Sequence, residues 1–264
     1  MIGLVYFFAA LLGLCIGSFL NVLIYRLPRG MNIAKPGSHC PNCGFALKWY
    51  HNIPVISWLV LRGRCANCKE KISPRYTIVE LVNTLFWVLC VFFFWETSIP
   101  MACFSALACS VLLTMFFTDL ETMIVPDSLQ IALLLLGIGA TILDPNYVWY
   151  SHLIGAFAFA LVFFLVSFVF SKKKGKEALG GGDIKLAFVG GLFLGWQKML
   201  GAMLVSTVVG SIVLLIMMKR QKQDRDTEYP FVPFMAAGMV LMVFAGNPLL
   251  NWYESVVNGF FPTV

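Results

Sequence analysis

Long apolar runs recur along the whole chain and set the strongest limit on what it can fold into. Of the 264 residues, 59% are hydrophobic and only 12% are charged. A soluble domain normally carries about twice that charged fraction, so lipid must be the solvent for much of this surface. Several runs reach the roughly 20 residues that a spanning helix needs, and the fourth, sixth and eighth are shorter. The runs cover residues 2–25, 76–95, 99–118, 128–143, 148–170, 184–197, 199–218 and 231–246.

The distribution of positive charge predicts how these runs are oriented. Eight crossings would place segments 26–75, 119–127, 171–183 and 219–230 on one side of the membrane. Together with Lys185, that side holds 18 of the 19 Lys and Arg residues. Such an excess marks the cytosolic side, so both termini are expected outside. The net charge of +6 therefore reports topology, and no nucleic-acid partner is expected.

The fold class follows as an all-α polytopic membrane bundle of about eight transmembrane helices. Residues 1–25 are expected to form an uncleaved first transmembrane helix, because no positive segment precedes the run and no small-residue cleavage site follows it. Segment 26–75 is the only extramembrane piece large enough to fold, and it is rich in turn-forming residues. Residues 76–264 are predicted to form the rest of the membrane domain.

Four of the eight cysteines form two close pairs in the polar segment, Cys40-Pro-Asn-Cys43 and Cys65-Ala-Asn-Cys68, separated by 21 residues. Each C-x2-C turn aims two thiolates at one point, and two such turns suit a structural zinc ion. The alternative is a pair of redox disulfides, which a reducing cytosol disfavours. We do not expect the nearby histidines, His39 and His51, to be ligands. The other four cysteines lie in apolar runs, as small buried hydrophobes do: Cys15, Cys90, Cys103 and Cys109.

Three aspartates lie at the predicted cytosolic ends of apolar runs. Asp127 opens a run and is well explained as a helix N-cap. Asp119 closes a run, where the helix dipole disfavours a carboxylate and no capping role compensates. Asp183 follows Gly180-Gly181-Gly182, so it could be an N-cap, although three glycines also let a substrate strand approach closely. Asp119 and Asp183 are both expected at the same depth in the membrane. Two neighbouring carboxylates can share a proton, so that one activates water while the other polarises a carbonyl. Asp119 and Asp183 are therefore the candidate catalytic pair.

Recognisable motifs occur along nearly the whole chain. The first-span motif is Gly17-Ser18-Phe19-Leu20-Asn21-Val22, and the paired cysteines flank residues 52–58. Two further blocks are Asp119 with Ile124-Val125-Pro126-Asp127, and Gly180-Gly181-Gly182-Asp183-Ile184-Lys185. Together these motifs resemble those of the bacterial prepilin peptidases, membrane aspartic proteases of type IV pilus, secretion and competence systems, and the last two resemble that family's catalytic blocks. The final block is also the G-x-G-D pattern of intramembrane aspartyl proteases.

This resemblance implies cleavage of a short basic leader from prepilins and related pseudopilins at the cytosolic face of the bacterial inner membrane. It also implies methylation of the new N-terminus from S-adenosylmethionine, for which the sequence offers no dinucleotide-binding fingerprint. Glu80, just inside the second predicted span, could serve that second reaction, or it could be an interfacial carboxylate that reaches out to water.

Two other functions are compatible with parts of the sequence. An ion-coupled secondary transporter could use Asp119 and Asp183 as a cation site, but it predicts repeated halves and acids near the membrane midplane. A non-enzymatic scaffold could dock partners through the zinc module. That function would leave Asp119 and the three glycines unexplained.

Overall fold

A computed structural model of the chain describes residues 2–96, 98–143, 148–174, 180–221 and 229–260. Within these ranges the regular structure is helical, with two isolated β-bridges and no strand. The loop stretches 144–147, 175–179 and 222–228 lie outside the described residues, and with them three of the 18 basic residues assigned to the cytosolic side, Lys176, Lys222 and Arg225. The helices are α1 (Ile2–Arg26), α2 (Ile56–Val60), α3 (Arg75–Phe94), α4 (Ile99–Thr122), α5 (Asp127–Leu143), α6 (Trp149–Lys174), α7 (Gly181–Gln221) and α8 (Val232–Phe260).

The predicted all-helical membrane class is confirmed. Six helices in the described part of the chain are long and apolar enough to cross a membrane, and a seventh, Asp127–Ile142, is apolar but shorter. The chain divides into two compact units, Met1–Thr114 and Met115–Val264, with the boundary inside α4.

In the first unit, α1 and α3 pack closely, and a series of buried polar side chains joins them to the middle of α4. Trp87 Nε1 donates to Ser110 Oγ at 3.1 Å, Ser110 Oγ donates to Asn83 Oδ1 at 2.6 Å, and Asn83 Nδ2 donates to the Gly13 carbonyl at 2.8 Å. Because unpaired polar groups are costly in lipid, this chain of bonds is a strong constraint on the three helices.

The first residues of the polar segment between α1 and α3 fold around the buried side chain of Arg26. Its guanidinium donates to the carbonyls of Asn32, Ile33 and Pro36 at 3.0, 3.2 and 2.6 Å. Five donors in a fixed planar fork allow one arginine to gather several carbonyls in this way. The last residue of α1 therefore shapes the first loop of the polar segment.

In the second unit, α6 and α7 approach each other backbone to backbone. A Cβ atom added to Gly191 would overlap the Gly155 carbonyl, and one added to Gly155 would lie 2.8 Å from the Trp196 nitrogen. Small residues permit this kind of close helix contact in membranes. The second part of α7 packs on α8, where a Cβ atom on Gly210 would lie 3.3 Å from the Phe234 ring.

Helix α7 is interrupted at Gly195, whose backbone is non-helical at φ 76° and ψ 165°. Asp183 interacts electrostatically with Asp119, and Asp119 bonds to the first residue of α8. Gly210 packs near that same end of α8. A straight helix would separate Asp183 from Gly210 by about 40 Å, at about 1.5 Å per residue. The chain therefore turns back at Gly195.

This reversal explains why α7 contains two predicted runs, 184–197 and 199–218. The two parts of α7 lie on either side of the turn, as two separate crossings would. The sequence placed the break near Lys198, and the structure places it at Gly195, where a positive φ favours glycine.

Candidate active site

Asp119 lies in the last turn of α4, which continues to Thr122 rather than ending at residue 118. Its side chain is 5% exposed, and its carboxylate accepts a hydrogen bond from the Val232 backbone N–H, at the start of α8. The free N–H groups at a helix start favour a negative charge. The expectation that no helix end compensates Asp119 is therefore wrong, because the start of α8 does so. Among the described residues, Asp119 Oδ2 is buried without a partner.

Asp183 is the third residue of α7, not its N-cap. Its Oδ2 accepts the Gly180 N–H at 3.2 Å, and its own N–H donates to the Gly180 carbonyl at 3.0 Å. A carboxylate at the third helical position commonly reaches back in this way to the residue that precedes the helix. The glycine turn thus holds the Asp183 carboxylate at the end of the helix, half-buried.

The structure brings Asp119 and Asp183 close enough for their carboxylates to interact electrostatically. Both belong to the second compact unit, and both carry one backbone N–H donor. Like charges at short range cannot both ionise easily, so such a pair tends to hold one proton between its members. The arrangement has the components for general acid–base chemistry on water and a carbonyl group.

The turn before Asp183 is held by residues that the sequence did not single out. Gln130 Nε2 donates to the Gly182 carbonyl at 3.3 Å, and a Cβ atom on Gly182 would lie 3.4 Å from Val125 Cβ. Gln130 Oε1 is buried without a partner among the described residues. The signal that could have revealed it is a lone amide side chain in the first turn of an apolar helix.

Asp127 is the first residue of α5, close to the predicted N-cap position. Its Oδ1 lies 2.7 Å from Lys185 Nζ, and both side chains are more than half exposed. No local pattern predicts this ion pair, because 58 residues separate its members. It connects the start of α5 to the first turn of α7.

The four predicted metal ligands come together in the first unit, with Sγ atoms all within 4.8 Å of one another. Cys40 Sγ lies 3.9 Å from Cys68 Sγ, and Cys43 Sγ lies 4.0 Å from Cys65 Sγ. A tetrahedral zinc site with Zn–S bonds of about 2.3 Å places its sulfurs about 3.8 Å apart. These distances fit a zinc ion and are too long for disulfides.

The electrostatics of the cysteines also fit a cation. A backbone hydrogen bond from Phe45 lowers the pKa of Cys43 to about 6, and a backbone hydrogen bond from Cys68 lowers the pKa of Cys65. A backbone bond from Glu70 favours the Cys68 thiolate as well. Desolvation and the neighbouring thiols nevertheless raise the pKa of Cys68 to about 12. Four thiolates this close repel one another, and a divalent metal would remove that repulsion.

The two C-x2-C turns share one backbone pattern. Cys40 N–H donates to the Phe45 carbonyl at 3.0 Å, and Cys65 N–H donates to the Glu70 carbonyl at 2.8 Å. The residue after each second cysteine has a positive φ, Gly44 at 69° and Lys69 at 60°. One turn therefore uses glycine where the other uses a residue with a Cβ atom.

Comparison with known proteins assigns the family. Residues 11–94 match the bacterial peptidase A24 N-terminal domain, and residues 106–215 match the type IV leader peptidase family. A prepilin leader peptidase/N-methyltransferase of Burkholderia pseudomallei (strain 1026b) is 33% identical over 266 residues, which cover 91% of this chain and 85% of the relative. The chain belongs to the type IV leader peptidase family.

Other relatives in this family extend over similar lengths. A prepilin leader peptidase/N-methyltransferase of Legionella pneumophila is 33% identical over 94% of each chain. One of Myxococcus xanthus (strain DK1622) is 39% identical over 80% of this chain and 62% of the relative. No solved structure matches. Membership in a peptidase family confirms the predicted resemblance and gives no support to the transporter alternative.

Proposed function

We propose that this membrane protein removes the leader peptide from prepilins and related pseudopilins and then methylates the new N-terminus, with Asp119 and Asp183 as the catalytic pair of the first reaction. The observation that carries the assignment is the Coulombic repulsion between these two carboxylates, both within the region that matches the leader peptidase family. The curated relatives are named for both activities.

The two aspartates supply what peptide hydrolysis needs. The ionised member of the pair takes a proton from water as the water oxygen attacks the scissile carbonyl. The protonated member donates to the carbonyl oxygen, and a proton then passes to the departing amine. The N–H groups of Val232 and Gly180 hold the carboxylates in place and stabilise their shared negative charge. The proton belongs to the pair rather than to either residue.

The rest of the chain is assigned as follows. Segment 26–75 forms a small domain in which Cys40, Cys43, Cys65 and Cys68 hold a structural zinc ion with no open coordination position. Residues 1–25 and 76–264 form the membrane part. The excess of Lys and Arg supports a cytosolic position for the zinc domain and the aspartates, at the bacterial inner membrane. S-adenosylmethionine is the proposed methyl donor.

Co-expression of the full chain with a prepilin tests the assignment, with leader loss and N-terminal mass followed together by mass spectrometry. Asp119→Asn and Asp183→Asn should each lower cleavage by about 10³-fold or more, because one carboxylate cannot act as both acid and base. Membrane insertion should be unchanged. Full cleavage by Asp119→Asn would exclude the pair as the catalytic site.

A further inference from the structure

The contact between α1 and α3 follows a regular register that ends at a polar cluster. A Cβ atom added to Gly17 would lie 2.8 Å from Glu80 Cα, so the two backbones touch at this level. One turn further along α1, Asn21 Nδ2 donates to the Tyr76 carbonyl at 3.0 Å. One turn earlier, Gly13 meets Thr84 in the same way. The contacts thus recur every four residues along two antiparallel helices. Asn21 and Glu80 lie near the same end of this series of contacts.

Two buried oxygens at this end of the contact have no hydrogen-bond partner among the described residues. Asn21 is 4% exposed, and its Nδ2 donates to the carbonyls of Gly17 and Tyr76. Neither of these hydrogen bonds uses its Oδ1 atom. Among the described residues, Asn21 Oδ1 and Thr77 Oγ1 are buried without partners. Thr77 lies one turn before Glu80 on α3, on the same side of the helix. Glu80 is 7% exposed, so it does not reach out to water as an interfacial carboxylate would.

In the described part of the chain, neutral donors and not a cation bond the Glu80 carboxylate. Its Oε2 accepts the Val55 N–H at 2.7 Å, and the Ser18 side chain also bonds to it. Val55 has φ 61° and ψ −52°, a backbone conformation that a β-branched residue rarely adopts. Such strain persists only where the surrounding structure enforces it, and it is concentrated at functional sites. The hydrogen bond from Val55 therefore attaches the polar segment to Glu80, and the strained backbone of Val55 is its energetic cost.

Among the described residues, no cationic donor bonds the buried Glu80 carboxylate, and the same end of the α1–α3 contact holds two oxygens that can accept hydrogen bonds and have no partner. A primary ammonium group has three N–H donors and one positive charge, which matches one carboxylate and two neutral acceptors. A buried charge without its partner is costly, so these residues suit a site that a ligand completes.

We propose that Glu80, Asn21 and Thr77 bind the α-ammonium group of the cleaved pilin chain, and that Glu80 takes its proton for methyl transfer. This inference rests on the proposed methyltransferase function and names its amine site. The N–H proton passes to the Glu80 carboxylate, and the freed nitrogen lone pair forms a bond to the methyl carbon. A sulfonium donor of the S-adenosylmethionine class supplies that methyl group and keeps the electron pair of the broken C–S bond. Glu80 returns its proton to solvent.

The test uses the full chain in proteoliposomes, S-adenosylmethionine, and two substrates: a prepilin and a pre-cleaved pilin with a free N-terminus. Glu80→Gln should lower methyl transfer about 10²-fold or more, the usual effect of losing a general base. Leader cleavage should stay within about twofold of wild type. The residual methylation should rise with pH, because solvent then deprotonates the amine. Glu80→Asp should recover part of the activity, and Glu254→Gln, an exposed acidic residue of α8, should change neither reaction.

The outcomes separate this inference from the function on which it rests. If wild-type protein methylates and Glu80→Gln does so equally well, the amine site is wrong and the proposed function stands. If Glu80→Gln loses cleavage and methylation together, Glu80 is structural and the inference fails. If wild-type protein cleaves prepilin and never methylates the product, the methyltransferase part of the function fails and the amine site with it.

Discussion

Lys185 Nζ lies 2.7 Å from Asp127 Oδ1 and so joins the first turn of α7 to the first residue of α5. Asp183 is two residues before Lys185, which places an ion pair beside the candidate catalytic pair. The two side chains are 58% and 69% exposed, so water and salt screen their attraction. Exposed pairs of this kind are worth about 0–1 kcal/mol.

Asp127→Asn and Lys185→Gln should therefore each retain at least about a fifth of wild-type cleavage, since 1 kcal/mol corresponds to about a fivefold effect. Asparagine also remains a good residue at a helix start. Leader loss from a co-expressed prepilin measures the effect, with Asp183→Asn as the inactive reference. An Asp127→Asn variant as inactive as Asp183→Asn would place Asp127 in the catalytic machinery.

The cysteine cluster predicts a metal content. Purified protein should contain about one zinc per chain by elemental analysis. Cys65→Ser should lose it and make the polar segment sensitive to protease, because metal binding supplies folding free energy in small domains. Cys15→Ser, which changes a cysteine of α1 outside the cluster, is the matched control. Absence of zinc together with free alkylation of all four thiols would refute the site.

The two similar C-x2-C turns predict opposite effects for two substitutions. Lys69→Gly should stabilise zinc binding by up to about 1 kcal/mol, because glycine removes the cost of a side chain in the left-handed region. Gly44→Ala should weaken it by about the same amount, and no atom lies within 4 Å of the added Cβ, so the effect is one of backbone conformation alone. Competition with a chelator measures both. Changes of the same sign would show that the two turns differ in conformation.

The contact between α6 and α7 predicts a strong effect of one added methyl group. Gly191→Ala should destabilise the protein by about 1–3 kcal/mol, because the new Cβ would overlap the Gly155 carbonyl. Gly181→Ala is the control on the same helix, since nothing lies within 4 Å of its Cβ position. Thermal unfolding in detergent compares the two. Equal unfolding temperatures would contradict the close approach.

Local chemistry made much of this protein predictable. The apolar runs predicted the helices because lipid requires each spanning segment to satisfy its own backbone. The second predicted span, expected over residues 76–95, is observed as helix α3 at Arg75–Phe94. The cysteine cluster was predictable for a similar reason: each C-x2-C turn fixes half of the ligand set within four residues.

Contacts between distant segments were not predictable. The helix carrying Asp119 was expected to end there, because a carboxylate is unfavourable at a helix C-terminus. The N–H of Val232, more than 100 residues away, accommodates it and the helix continues to Thr122. The bond from Gln130 to Gly182 likewise depends on how α5 and α7 pack. Pattern and spacing identify candidate residues, but only tertiary packing shows their partners.

The direct backbone contact between α1 and α3 fixes the position of Glu80 along the helix pair. With glycine at the contact, the two helices touch directly, and no flexible side chain between them could absorb a shift. One residue inserted between Gly17 and Asn21 would rotate Asn21 by about 100° around the helix axis, since each turn holds 3.6 residues. The amide would then leave Tyr76 while Gly17 stayed beside Glu80. Relatives that lengthen this stretch by one residue would need a different group to complete the polar cluster.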